Sequence, residues 1–158
     1  PGFPGDISKS EAAIMRYQLY WEYNTICRGR GSIYATLRQA GMRDEEIGSF
    51  VSFYGLRNHA KLWDTPVTEL IYVHSKLLIV DDRTVLMGSA NINDRSLNGG
   101  RDSEICVVVE DKKVEISKMA QQPYEARTFA FKLRTDIFKE HLGCNLEDVR
   151  DPLSDTFW

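Results

Sequence analysis

The stretch of sequence that decides the fold is YVHSKLLIVDDRTVLMGSAN, residues 72–91. Two apolar runs flank Asp81-Asp82-Arg83, which predicts a strand from Glu69 to Val80, a tight turn, and a return strand from Thr84 to Met87. Because alternate side chains of a strand share a face, His74 and Lys76 point the same way. Two basic groups in an otherwise apolar strand require a chemical explanation.

The residues after the return strand complement this basic pair. Gly88 permits close approach of the backbone, while Ser89 and Asn91 carry hydrogen-bonding side chains. A short hairpin returns them to the neighbourhood of His74. The four functional groups can hold an anionic phosphoryl oxygen and move a proton or form a covalent bond. We therefore predict that Lys76, Ser89 and Asn91 bind phosphate, and that no metal is required.

Two carboxylates complete the candidate site. Glu104 opens the next predicted strand, which runs to Val109, and a carboxylate behind His74 would fix its tautomer and support its imidazolium form. Asp81 lies in the turn, where its side chain is expected to bond local backbone donors and hold the hairpin. The predicted catalytic residues are therefore His74, Lys76, Asp81 and Glu104. The remaining histidines are interpreted as structural: His59 and His141.

The rest of the chain predicts helices on either side of these strands. The run ICVVV, residues 105–109, indicates a strand that is buried on both faces, with Cys106 as a small core residue. Helices that flank a run of strands favour an α/β domain with a central sheet between helices. The other predicted segments are a helix from Lys9 to Cys27 opened by a capping box of Ser8 and Glu11, a helix from Ile33 to Ala40, a strand from Gly48 to Leu56, a loop from Arg57 to Pro66, a loop from Asn91 to Asp102, and a helix from Gln122 to His141 ended by Gly143.

Composition narrows the functional classes. The 158 residues are 42% hydrophobic and 27% charged, as expected for one globular domain, and the net charge of -3 argues against a nucleic-acid partner. The three scattered cysteines lack metal-ligand spacing and fit a reducing compartment. No apolar run is long enough for a transmembrane helix. The chain opens on PGFPGD and stops on DPLSDTFW, so we expect a piece of a longer polypeptide.

The joint pattern His74-x-Lys76-x4-Asp81-x6-Gly88-Ser89-x-Asn91 resembles the HKD signature of the phospholipase D superfamily. The resemblance extends over nearly the whole chain. Further segments are similar to the second catalytic half of eukaryotic phosphatidylcholine-hydrolysing phospholipase D: PGFPGDI, SFYGLRNHAKL, LIYVHSKLLIVDD, GSANINDRS, RDSE and DPLSD. Residues 1–158 are thereby identified as a single catalytic half-domain, with the motif at 74–91.

The family resemblance implies a fold, a reaction and partners. The fold would be a mixed sheet between helical layers, with two motifs meeting across a pseudo-twofold axis. One motif's histidine would attack phosphorus to give a phosphohistidine, and His74 would protonate the leaving choline oxygen and later activate water. The chain holds one complete motif, so it would form half a site and need the other catalytic half. The resemblance further implies a peripheral location on cytoplasmic membrane surfaces, a phosphoinositide activator without a catalytic cofactor, and regulation by small GTPases and protein kinase C.

Two alternatives stay open from the residues alone. A single-motif enzyme such as a homodimeric nuclease would complete the site with two copies of His74. A catalytically silent lipid-binding or partner-binding module would fit the cut-looking ends.

Overall fold

The computed structural model describes residues 6–154. The chain divides into two compact units, residues 1–73 and 74–158. The first unit is helical before it ends in a hairpin. The second unit contains the predicted motif.

The first unit begins with the two predicted helices. A 3-10 turn, Ser10–Ala12, leads into α1, Ala13–Tyr23, which ends in a π-helical turn, Asn24–Arg28; α2 is Ile33–Gln39. The Ser32 hydroxyl caps α2 by accepting the Ala35 N–H at 3.1 Å. The prediction of a capping box formed by Ser8 and Glu11 is wrong. The Ser8 hydroxyl and N–H both donate to the Asp6 carboxylate instead.

The expected strand from Gly48 to Leu56 is also wrong. Its first three residues end a third helix, α3, Asp44–Phe50; residues 51–55 belong to no strand, and only Leu56 lies in one. Three acidic residues fill its first turn, where the positive end of the helix dipole favours them: Asp44, Glu45 and Glu46. The Arg43 N–H donates to the Glu46 carboxylate at 2.9 Å, which closes the start of the helix. The local helix signals therefore outweigh the aromatic content that suggested a strand.

The expected loop from Arg57 to Pro66 instead forms most of the first strand, the turn and the start of the second strand of a hairpin. Strand β1, Leu56–Leu62, pairs antiparallel with β2, Thr65–Ile71, and a two-residue turn joins them. The predicted strand from Glu69 to Val80 is therefore broken in two. Its second part is β3, Lys76–Val80, and residues 72–75 belong to no strand.

The second unit is built on the predicted hairpin, which is confirmed. Strand β3 pairs antiparallel with β4, Thr84–Gly88, and β4 pairs antiparallel with β5, Cys106–Val109. The turn residues Asp81 and Asp82 take positive φ angles of 51° and 49°, a region that aspartate tolerates better than most residues. A short helix, α4, Asp94–Leu97, interrupts the predicted loop between β4 and β5.

The predicted helix from Gln122 to His141 is correct only in its second part. Strand β7, Gln122–Arg127, pairs antiparallel with β6, Val114–Met119, which the sequence analysis missed; α5 follows as Thr128–Leu142. Gly143 ends α5 with a left-handed φ of 64°, as expected. A last short helix, α6, is Leu146–Val149.

The core of the second unit lies where α5 meets the strands. The side chains of Val85, Ala126, Ala130, Phe131 and Val149 are buried. The expectation that β5 is buried on both faces is wrong within this chain, since Val107 and Val108 are more than half exposed and Cys106 is exposed. The α/β class is confirmed, with helices combined with three small antiparallel sheets in the described residues. No helix between residues 6 and 154 is long and apolar enough to cross a membrane.

Candidate active site

The three-stranded sheet brings the predicted residues to one end. Lys76 opens β3 and pairs with Gly88, the last residue of β4, and Gly88 pairs with Cys106, the first residue of β5. The segments that leave these strands at this end carry the predicted groups. His74 precedes β3, Ser89 and Asn91 follow β4, and Glu104 precedes β5. The predicted convergence therefore follows from the antiparallel register.

Gly88 is required for this arrangement. A Cβ atom built on Gly88 would lie 2.5 Å from the Ile105 carbonyl oxygen and 2.7 Å from the Cys106 Cβ. Both distances are far below ordinary van der Waals contact. The close approach of β4 and β5 then permits a hydrogen bond of 3.0 Å from the Ser89 N–H to the Ile105 carbonyl. The missing side chain at Gly88 thus places Ser89 beside the start of β5.

His74 and Lys76 lie next to one another, but His74 precedes β3, so strand alternation does not account for their proximity. The Lys76 Nζ donates to the His74 carbonyl oxygen at 2.6 Å and lies 3.4 Å from the His74 Nδ1. Because an ammonium group can only donate, this contact is a hydrogen bond only in a tautomer with no proton on Nδ1. The backbone contact fixes the ammonium beside the imidazole, where both can reach one phosphoryl group.

Hydroxyl groups form hydrogen bonds with the Glu104 carboxylate. The Ser89 hydroxyl donates a short bond to the Glu104 carboxylate and accepts the Ile105 N–H at 3.1 Å. The Ser96 hydroxyl also bonds this carboxylate and accepts the Asn91 N–H at 3.0 Å. Ser89, Asn91, Ser96 and Glu104 form one polar network, which we call the serine–glutamate network.

This network shifts the titration of the carboxylate. The hydrogen bond from Ser89, and then that from Ser96, lowers the pKa of Glu104 below its ordinary value, and the nearby Lys76 ammonium acts in the same direction. Burial and the Asp102 carboxylate oppose the shift but are weaker. Glu104 therefore stays ionised at lower pH than an isolated glutamate. Its predicted support of a catalytic histidine remains a prediction.

Asp81 lies away from the other site residues. It occupies the turn at the opposite end of β3, five residues from Lys76, which corresponds to roughly 16 Å of extended strand. Its carbonyl oxygen accepts a 2.8 Å bond from the Tyr124 hydroxyl. Within this chain Asp81 therefore belongs to the turn, and a catalytic role for it stays a prediction.

The neighbouring Asp82 makes the main contact of the turn. Its buried carboxylate receives two bonds from the Arg134 guanidinium on α5, at 2.8 and 2.6 Å. The Asp82 carbonyl also accepts the Arg127 N–H at 2.7 Å. This bidentate pair joins the turn to α5 across 52 residues of sequence.

Two further features are a cavity in the second unit and a histidine contact in the first. A cavity of about 430 Å³ opens between α5 and the face of β3 opposite Lys76, and is lined by Leu77, Ile79, Ile137, Phe138 and Leu153 among others. Across residues 6–154 no group of three or more histidine, cysteine or acidic side chains could hold a metal ion. In the first unit, His59 on β1, which the sequence analysis interpreted as structural, lies 2.9 Å from the Thr68 hydroxyl and bonds it.

Comparison with known proteins identifies the family. A family profile described as phospholipase D matches residues 56–156, which include every predicted site residue. The chain belongs to the phospholipase D family. The motif resemblance seen in the sequence is thereby confirmed.

Several curated phospholipase D proteins are similar along the full length of this chain. Phospholipase D zeta 1 of Arabidopsis thaliana is 48% identical over 162 residues, covering 99% of this chain and 14% of that protein. Phospholipase D2 of Bos taurus is 47% identical, covering all of this chain and 17% of that protein. Phospholipase D1 of Homo sapiens is 48% identical, with all of this chain and 15% of that protein covered. The chain thus spans about one sixth of the length of these relatives.

Two features were not predicted from the sequence: Ser96 in the candidate site, and the Asp82–Arg134 pair in the turn away from it. Ser96 was left inside a loop, although its spacing from Asn93 is a helix-capping signal. The Asn93 side chain accepts the Ser96 N–H at 3.1 Å and starts α4, which turns the Ser96 hydroxyl back toward Asn91. The Asp82–Arg134 pair had no local signal, because its partners are distant in sequence.

Proposed function

We propose that this chain is one catalytic half of a phosphodiesterase that hydrolyses phosphatidylcholine to phosphatidic acid and choline. The observation that carries the proposal is the convergence of His74, Lys76 and the serine–glutamate network at one end of the β3–β4–β5 sheet. An ammonium and polar hydrogen-bond donors are suited to a phosphoryl group. The relatives' names support the same reaction class.

The proposed reaction has two steps, and both need a second motif from the other catalytic half. In the first step, the second motif's imidazole attacks phosphorus, a P–N bond forms, and the P–O bond to choline breaks. Protonated His74 gives its proton to the leaving choline oxygen. In the second step, neutral His74 takes a proton from water while the water oxygen attacks phosphorus and breaks the P–N bond. An alcohol in place of water gives the transphosphatidylated lipid.

Each remaining residue supports one of these steps. Lys76 offsets the charge that develops on the phosphoryl oxygens, since it lies beside His74. Asn91 completes the phosphate contacts as a donor, and the Ser89 hydroxyl can join it only by releasing its bond to Glu104. Glu104 fixes the position of the Ser89 hydroxyl within the serine–glutamate network. None of these steps needs a cofactor.

The proposed setting is a peripheral protein on cytoplasmic membrane surfaces. The family resemblance supports a phosphoinositide as activator, and small GTPases and protein kinase C as regulators. The acidic net charge of -3 supports a lipid substrate in preference to a nucleic acid.

The test is the formation of phosphatidylbutanol from phosphatidylcholine vesicles in 1-butanol, catalysed by the full-length protein that contains this chain. The His74→Asn variant should lose product by a factor on the order of 10² to 10⁴, the usual contribution of a general acid–base. His141→Asn removes an exposed histidine near the end of α5 and is the matched control. Unchanged product from His74→Asn, in a variant with a native circular dichroism spectrum, would show that the motif is not catalytic.

A symmetric dimer is the second candidate, because the sheet face that carries Lys76 has exposed apolar side chains. Leu78 and Val80 on this face are 54% and 44% exposed. A second copy of the chain would cover it and supply another His74. Sedimentation at micromolar concentration distinguishes the two candidates, since only the dimer model requires a twofold mass in the absence of another polypeptide.

A further inference from the structure

The hairpin β1–β2 in the first unit is exposed along almost its whole length. In β1 every residue after Leu56 is exposed, and in β2 only Val67 and Leu70 are partly covered. A two-stranded hairpin with no covered face is marginally stable in water. The hairpin therefore presents a surface that fits a further contact.

The tip of the hairpin carries a residue that the turn does not favour. Leu62 pairs with Thr65, so Trp63 and Asp64 form a two-residue turn. Trp63 takes a left-handed φ of 56°, where glycine or asparagine is preferred and a bulky side chain is strained. The Trp63 side chain is nevertheless 92% exposed, and Leu62 beside it is 61% exposed. Neither turn chemistry nor packing among residues 6–154 explains Trp63, so the strain points to a contact outside this part of the chain.

The charges of the hairpin are separated onto different faces. Arg57, His59 and Lys61 alternate along β1 and share one face. The bond from His59 to Thr68 across the strands lies on this same face, which the register also predicts. The acidic Glu69 pairs with Asn58 and points to the other face. One face of the hairpin is therefore basic and leads to the apolar tip.

We propose that the tip, Leu62 and Trp63, seats in the headgroup layer of an anionic lipid bilayer, with Lys61 at the lipid phosphates. The proposal rests on the proposed function, since it gives an enzyme of lipid substrates a lipid contact. An indole ring has an apolar body and a polar N–H and favours the membrane–water interface. A cation two residues from it adds attraction to anionic lipids.

The geometry of the hairpin determines how deeply its tip enters the membrane and which of its basic residues contributes most to binding. Lys61 lies two residues from Trp63, about 7 Å along the strand, whereas Arg57 lies about 20 Å from it. Salt screens the electrostatic attraction over about 8 Å at physiological ionic strength. Lys61 is therefore attracted to the charged lipid surface, whereas Arg57 is attracted only weakly. The Asp64 carboxylate beside Trp63 keeps the contact in the headgroup layer, because a charge is costly in the hydrocarbon layer.

The test is Trp63 fluorescence in the 158-residue chain carrying Trp21→Phe and Trp158→Phe, so that Trp63 is the remaining tryptophan. His74→Asn is included so that no lipid is consumed. Vesicles of phosphatidylcholine with phosphatidylserine should shift the emission to shorter wavelength, and brominated acyl chains should quench it. Vesicles of phosphatidylcholine alone should cause only a weak emission shift and weak quenching.

Partition into the anionic vesicles, measured by sedimentation, should depend on the tip. Trp63→Ala should lower it on the order of tenfold, from the apolar area withdrawn from the interface. Lys61→Ala should lower it about fivefold, and Arg57→Ala less than about twofold. Phe50→Ala removes another exposed aromatic residue, 77% exposed at the end of α3, and should leave partition unchanged.

Two outcomes would overturn the proposal. One is vesicle binding with unaltered Trp63 emission, which would place the membrane contact elsewhere. The other is equal loss from Arg57→Ala and Lys61→Ala, which would contradict a contact at the tip. The proposed function fails separately, if the full-length protein forms no phosphatidylbutanol although Trp63 enters the bilayer.

Discussion

Ser96 shows how one side chain organises the site from outside the motif. Its hydroxyl accepts the Asn91 N–H and also bonds the Glu104 carboxylate. It therefore joins the segment after β4 to the segment before β5. Because these bonds favour the charged form of Glu104, the ionisation of Glu104 reports on the integrity of the serine–glutamate network.

The first prediction concerns the pH dependence of a Ser96→Ala variant. Loss of one hydroxyl donor raises the pKa of Glu104 toward its ordinary value, so Glu104 becomes protonated at higher pH. If the carboxylate is needed for turnover, the acid limb of kcat/KM, measured on the full-length protein, should move to higher pH. Ser52→Ala, which changes an exposed serine of the first unit, is the control. A uniform loss of activity without movement of the limb would mean that Ser96 only stabilises the fold.

At the scale of elements, the turn between β3 and β4 is attached to α5 by one buried ion pair. Asp82 and Arg134 are 3% and 5% exposed, and the guanidinium also donates to the carbonyl groups of Val149 and Arg150. Removing one partner leaves the other charge buried without compensation. The pair thus ties the motif hairpin to the helix and to the segment around α6.

The second prediction contrasts the two adjacent aspartates. Asp82→Asn should lower the free energy of unfolding by about 3–5 kcal/mol, because Arg134 keeps its buried charge. Asp81→Asn should change it by less than about 0.5 kcal/mol, since Asp81 is exposed and asparagine tolerates its positive φ. Urea denaturation of the 158-residue chain gives both values. The reverse order would mean that Asp81, as first predicted from the sequence, holds the hairpin.

At the scale of the whole molecule, the face of the three-stranded sheet that carries Lys76 has no cover within the described chain. Leu78, Val80 and Val108 on this outer sheet face are 54%, 44% and 54% exposed. Contiguous apolar surface of this kind marks an interaction site. The chain spans about one sixth of its relatives, so the proposed occupant is the other catalytic half.

The third prediction tests this occupant. Leu78→Asp should weaken binding of the other catalytic half by about 10- to 100-fold, because a carboxylate would be buried in an apolar contact. The unfolding free energy of the chain itself should change by less than about 0.5 kcal/mol, as Leu78 is already exposed. Co-purification of the two halves and calorimetric titration measure the binding. Lys132→Asp on the exposed side of α5 is the control. Equal effects from both variants would place the contact elsewhere.

The sequence by itself determined the β3–β4 hairpin, its turn, and the family. These features are local, because strand alternation, turn residues and the spacing of His74, Lys76, Gly88 and Ser89 lie within about twenty residues. The convergence of the site also followed from the sequence, since an antiparallel register returns residue 88 to residue 76. The helices α1 and α2 and the end of α5 at Gly143 carried clear signals for the same reason.

Only the tertiary structure decided which segments with ambiguous patterns became strands. Residues 122–127 continue the pattern of α5, but they pair with β6, a partner that propensity does not reveal. Residues 57–66 lack a strong strand pattern and are held by the opposite strand of their hairpin. The structure also selected Asp82 over Asp81, because the Arg134 that pairs with it lies 52 residues away. Long-range pairing and burial depend on the arrangement of the whole chain, whereas turns and motifs depend on their neighbours.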